Sequence, residues 1–93
     1  MNNITVQGFC DSRFDAVKEA FIDNFKTRQE LGASVALCLE GEYVVDLWAG
    51  YMDEQRTIPW QRDTLVNVWS VGKAVTAVAT LKALQMHGIS IDD

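Results

Sequence analysis

Histidine is nearly missing from this sequence. The chain has 93 residues, one histidine (His87), one proline (Pro59) and two cysteines (Cys10 and Cys38). The cysteines are far apart, and neither has a second Cys at C-x-x-C spacing. Too few soft or imidazole ligands exist to hold zinc, so no metal and no other cofactor is expected. Basic residues are also scarce: eight Lys and Arg stand against thirteen Asp and Glu, for a net charge of -5. They are scattered. Nucleic acid binding needs a clustered basic footprint, so that class of partner is excluded. No apolar run approaches the ~20 residues of a membrane helix, and the start, Met-Asn-Asn-Ile-Thr-Val, lacks a basic segment leading into an apolar one. No membrane partner is expected. The reading that follows is a cytoplasmic protein with free thiols. There is no internal repeat and no low-complexity segment.

What is present is globular: 48% of residues are hydrophobic and 23% charged. Asp11 to Leu31 reads as an amphipathic helix. Phe14, Val17, Phe21 and Phe25 recur at three- and four-residue spacing and share a face. Asp11 or Ser12 can cap its start, Ser12 with Asp15 giving a capping pattern, and Gly32 can stop it. Two strands follow, at about 33–40 and 43–51, joined through Glu40-Gly41-Glu42 as a hairpin turn. The first is so continuously apolar that it is expected inside a sheet covered on both sides. Asp46 on the second reads as a solvated or loop-pairing carboxylate. Residues 52–62 form a polar loop, pinned by Trp60 beside Pro59. A second helix is expected at about 70–87, with Gly88 as its C-terminal cap. Small and apolar residues surround most of its circumference, which places it inside a larger body. The fold class is therefore α/β of the α+β type: a helix, an antiparallel hairpin of a larger sheet, a loop and a second helix.

Chemistry points to Ser70 and Lys73. Residues three apart on a helix are neighbours, so Lys73 can reach the Ser70 oxygen. A serine hydroxyl needs such a base to become a nucleophile. Burial would favour the neutral amine that a base requires. The helix N-terminus favours developing negative charge near Ser70. As a bare pattern S-x-x-K is weak: with four serines it arises by chance about one time in five. A capping serine followed by a solvated lysine is the plain alternative. Context favours chemistry, because Lys73 is the single charge between Leu65 and Leu81. His87 lies about 25 Å along the axis from Ser70 and cannot serve as its base. Cys10 and Cys38 have no basic sequence neighbours and read as structural thiols. Trp69 could line an acyl pocket or pack in a core.

The segment Asp63-Thr-Leu-Val-Asn-Val-Trp-Ser-Val-Gly-Lys-Ala-Val-Thr-Ala resembles the active-serine segment of the serine β-lactamase-like superfamily. The similarity is greatest to the family VIII carboxylesterases, which resemble class C β-lactamases. Val6-Gln-Gly-Phe-Cys-Asp-Ser-Arg-Phe, Val44-Val-Asp-Leu-Trp-Ala-Gly and Pro59-Trp-Gln-Arg-Asp-Thr-Leu agree with it in order. The resemblance implies a partial β-lactamase/transpeptidase-like fold, with Ser70 as acylated nucleophile, Lys73 as general base and the Ser70 N–H as an oxyanion donor. It implies a small-molecule ester as substrate, or alternatively a β-lactam, as in β-lactam hydrolases and penicillin-binding proteins. Family members are several times longer and carry a Tyr motif and a later x-Gly strand motif, and neither can be placed here. Tyr43 and Tyr51 precede the nucleophile. The expectation is an N-terminal portion of such an enzyme, its exposed apolar faces covered by a missing C-terminal portion or by self-association. A folded or partner-dependent module without turnover is the non-enzymatic alternative.

Overall fold

The computed structural model describes residues 4–93. Its order is β1 (Gln7–Cys10), a 3-10 turn (Ser12–Phe14), α1 (Asp15–Thr27), β2 (Gly32–Leu39), β3 (Glu42–Gly50), a second 3-10 turn (Trp69–Val71) and α2 (Gly72–Met86). The architecture is mixed α/β: two helices and one antiparallel three-stranded sheet, ordered β1-β3-β2.

The hairpin forms because its turn chemistry permits it. Glu40 and Gly41 both take positive φ, 51° and 84°, the requirement of a two-residue turn whose twist suits the flanking strands. Register then places Leu37 opposite Val45, Val35 opposite Leu47 and Ala33 opposite Ala49. Alternation turns Val45, Leu47 and Ala49 to one face, where they form the core with Phe21 and Phe25 of α1. The two phenylalanine rings meet edge to face, 5.4 Å between centroids. Val45 and Leu47 are fully enclosed, each contributing about 1.5–3 kcal/mol by burial. At the end of β3 the chain passes so close to its neighbour that a Cβ on Gly50 would strike the Leu31 carbonyl oxygen, and φ there is +88°. Only glycine meets both conditions without strain.

The structure corrects the bounds of the first helix and adds a strand. The helix expected over 11–31 is shorter. Asp11 caps a 3-10 turn, its carboxylate accepting from the Arg13 N–H at 2.9 Å, and Phe14 leaves helical geometry with φ -115°. Asp11, rather than Ser12, is thus the cap. At the other end Gln29 turns left-handed, so Leu31 lies beyond α1 and Gly32 opens β2. Gln7–Cys10 is a strand, pairing antiparallel with β3 from Gln7–Trp48 to Cys10–Val45. Its four residues are too few to show a period. Within residues 4–93, β2 is an edge strand and β3 the central one; Leu37 and Leu39 remain exposed.

Residues 4–93 likewise leave α2 uncovered: none of its residues is enclosed, and Val75 and Val78 are each about two-thirds exposed. The radius of gyration, 17.7 Å, compares with about 12 Å for a compact chain of this length. A long axis of 56 Å against a short one of 20 Å describes the same departure. An apolar helix is here carried outside the core that the first fifty residues build.

The connecting loop is anchored to β3. The Trp60 backbone N–H donates to the Gly50 carbonyl at 2.8 Å, and the Met52 N–H donates to the Ile58 carbonyl at 2.8 Å. Arg62 reaches back to Asp46 at 3.1 Å, so that carboxylate pairs with the loop. The Asp53 carboxylate accepts from the backbone of Thr57 and Ile58, each at 2.9 Å, and from the Thr57 hydroxyl. Both cysteines are free thiols.

Candidate active site

Ser70 and Lys73 straddle the junction between the second 3-10 turn and α2. Ser70 is the middle residue of that turn, and Lys73 is the second residue of α2. The approach over 64–68 is irregular and ends in a tight bend. Val68 sits at φ -101°, ψ 4°, and Trp69 follows with φ +50°. The Trp69 N–H donates to the side-chain oxygen of Asn67 at 3.1 Å. Val71 then donates to the Val68 carbonyl at 3.1 Å, and Gly72 donates to the carbonyls of Trp69 and Ser70. From there the i to i−4 ladder of α2 takes over. The helix ends as its sequence implies: Gly88 has φ +66°, and Gly88 and Ile89 donate back to Gln85 and Leu84.

Ser70 and Lys73 stand three residues apart across this junction, the spacing of the S-x-x-K pattern. Both side chains are exposed. Among the described residues no hydrogen bond joins them. The burial expected around Lys73 is therefore not supplied by residues 4–93. Trp69, 83% exposed, lines no core here. A cleft of about 190 Å³ lies elsewhere, between β1, the end of β3 and Trp60. Neither Ser70 nor Lys73 lines it.

The remaining candidates separate from this pair. Tyr43 is exposed on β3, and Tyr51 lies just beyond β3 with the Arg56 guanidinium 5.8 Å from its ring. His87 caps the far end of α2. The Cys10 thiol points at the Phe14 carbonyl, 3.4 Å away. Among the described residues no group of three His, Cys, Asp or Glu side chains is arranged to hold a metal ion, and no helix is long and apolar enough to cross a membrane. Sequence reasoning passed over Asn67. Its signal was an Asn two residues ahead of a turn, a position from which an Asx side chain can capture a backbone N–H.

A family model described as Beta-lactamase matches residues 17–93, a span that includes the core, the loop and the whole Ser70–Lys73 junction. The chain belongs to the β-lactamase family. Among curated proteins it is similar to Esterase/beta-lactamase LipL of Mycobacterium tuberculosis (strain ATCC 25618 / H37Rv), 39% identical over 72 residues. That match covers 77% of this chain and 17% of the relative. Among solved structures it is similar to a family VIII carboxylesterase, with a TM-score of 0.79 and 44% identity over 90% of this chain and 22% of that one. The architecture is accordingly a partial β-lactamase-like fold, and the family and both relatives are hydrolases. The chain spans about a fifth of the length of the relatives it matches.

Proposed function

We propose that this chain carries the nucleophile and its nearest base in a serine hydrolase of carboxylic esters. The carrying observation is the Ser70–Lys73 pair at the entrance of α2, in a chain 44% identical to a family VIII carboxylesterase.

The reaction proceeds through an acyl-enzyme. Neutral Lys73 Nζ accepts the Ser70 hydroxyl proton as Oγ attacks the ester carbonyl carbon. The carbonyl oxygen becomes an oxyanion, which the Ser70 backbone N–H helps to stabilise. Collapse breaks the bond to the alcohol oxygen, and the Lys73 ammonium returns the proton to it. Water then adds to the acyl-serine, and the carboxylic acid leaves with Ser70 restored. Lys73 performs this step when neutral, and burial favours that form. In residues 4–93 alone Lys73 stands in solvent, so the cover that desolvates it comes from outside this segment. The isolated 93-residue chain is accordingly expected to turn over poorly, and by itself would behave as a folded module.

A β-lactam is the second reading, favoured by the name of the mycobacterial relative; the same acyl-enzyme would form on ring opening. The test is a comparison of p-nitrophenyl ester and fluorescent penicillin turnover by the full chain that carries this segment, with Ser70→Ala and Lys73→Ala beside it. Loss of ester hydrolysis by at least ~10³-fold in both variants, on the scale of removing one member of a catalytic unit, supports the reading. Wild-type turnover in Ser70→Ala would end it.

A further inference from the structure

Among the described residues, four other than glycine take positive φ: Gln29, Glu40, Arg56 and Trp69. The first three stand at turn tips, after α1, in the β2–β3 hairpin and in the loop. Trp69 differs. It is a bulky aromatic, for which the left-handed region is a genuine outlier, and it immediately precedes the proposed nucleophile. Its side chain is 83% exposed, so packing among residues 4–93 does not hold it there. Its backbone is tied on both sides: its N–H donates to Asn67 Oδ1 at 3.1 Å, and its carbonyl accepts from the Gly72 N–H.

We propose that Asn67 is a positioning residue for Ser70: its side-chain oxygen fixes the Val68–Trp69 peptide plane, from which the left-handed Trp69 aims Ser70 at the entrance of α2. This rests on the reading of Ser70 as nucleophile. The argument is geometric. A short polar side chain that captures the N–H two residues on forms an Asx turn, which offsets the cost of the unfavourable φ. The residue after the bend inherits its direction. Were Trp69 to relax to negative φ, Ser70 N–H and Oγ would rotate together relative to α2, and with them the alignment to Lys73. Nucleophile and oxyanion donor both come from Ser70, so one torsion controls both. A misplacement of about 1 Å at such a centre costs on the order of 10²-fold in rate.

A double-mutant cycle in the full chain that carries this segment tests the clamp. The readouts are the rate of fluorophosphonate labelling at Ser70, located by mass spectrometry, and amide hydrogen exchange at Trp69. Asn67→Ala is expected to slow labelling by about 10- to 100-fold and to speed Trp69 exchange. Asn67→Asp, which keeps the acceptor, restores both. In a Trp69→Gly background the effect of Asn67→Ala on labelling largely disappears, because glycine enters the left-handed region without help. A merely structural asparagine would cost the same in both backgrounds. Unchanged labelling in Asn67→Ala, or an equal loss with glycine in place of tryptophan, overturns the positioning role. Unchanged Trp69 exchange in Asn67→Ala overturns the clamp. Absence of any Ser70 adduct in the wild type instead refutes Ser70 as nucleophile, while the exchange data still decide whether the clamp exists.

Discussion

Leu47 and Leu81 are the same residue type in two different situations. Leu47 is 2% exposed at the centre of β3, and Leu81 is 52% exposed on α2. The contrast extends to the regions around them. The first fifty residues hold an amphipathic helix and strands with period-two faces, and each apolar stripe meets a partner: Phe21 and Phe25 close on Val45, Leu47 and Ala49. The last twenty-five hold a helix apolar around most of its circumference, with no residue buried. A one-sided stripe is satisfied by one neighbouring element, whereas an all-round apolar helix needs neighbours on several sides. Stability in this segment therefore resides in α1 and the sheet, and the candidate chemistry resides on the element they leave uncovered.

Substitution separates the two regions most strongly. Leu47→Ala should destabilise the 93-residue chain by about 2–5 kcal/mol, the range for a leucine removed from a packed core. Leu81→Ala should stay within about 0.5 kcal/mol, as at other surface positions. Chemical denaturation of the two variants checks this. Equal losses would mean that α2 is packed in solution. In a chain that covers α2, Leu81→Ala is expected to rise toward the Leu47 value.

A smaller but more local contrast should appear in native-state hydrogen exchange. Amides of β3 between Val44 and Ala49 should exchange at the rate set by global unfolding, and those of α2 should exchange orders of magnitude faster through local opening. Matching protection in both regions would break the division into a core and a carried helix.

The smallest effect concerns the loop that links them. The hydrogen bond from the Thr57 hydroxyl, followed by that from the Ile58 N–H, holds the Asp53 carboxyl below its ordinary value of 3.8. A depressed carboxyl contributes stability above its unfolded value, and that contribution is lost as pH falls through the lower, folded one. An NMR titration should find Asp53 below 3.8, and Thr57→Val should move it upward. The loop turn should loosen only under acid conditions, leaving the core intact. A titration unmoved by Thr57→Val would assign the shift to some other group.

The division also shows which parts of the protein were legible in its residues. Gly41 in Glu40-Gly41-Glu42 announced the hairpin because a tight turn favours glycine, which takes positive φ without strain. Gly88 marked the end of α2 for the same reason. The Phe21–Phe25 spacing identified the buried face of α1, but its ends were misread: Asp11 caps a 3-10 turn, and Gln29 supplies a left-handed stop without being glycine. β1 was missed because its partner, β3, lies more than thirty residues away in sequence, and four residues carry no periodic signal. The apolar character of β2 and α2 was read correctly as composition. What it cannot specify is which residues provide the cover, and residues 4–93 do not. The S-x-x-K pair was visible as spacing, and the resemblance gave it chemical meaning. The bend that presents it was hidden, because Asn67 acts through one side-chain hydrogen bond and Trp69 is a residue that ordinarily avoids positive φ.

The central claim is that the proposed catalytic pair stands at the entrance of α2 and works only when α2 is covered. Its most direct test is the rate of fluorophosphonate labelling at Ser70, located by mass spectrometry, in the 93-residue chain and in the full chain that carries it. The account predicts rapid labelling of the full chain, its loss in Lys73→Ala, and little labelling of the 93 residues alone. Rapid Ser70 labelling of the isolated segment, at a rate matching the full chain, would contradict it.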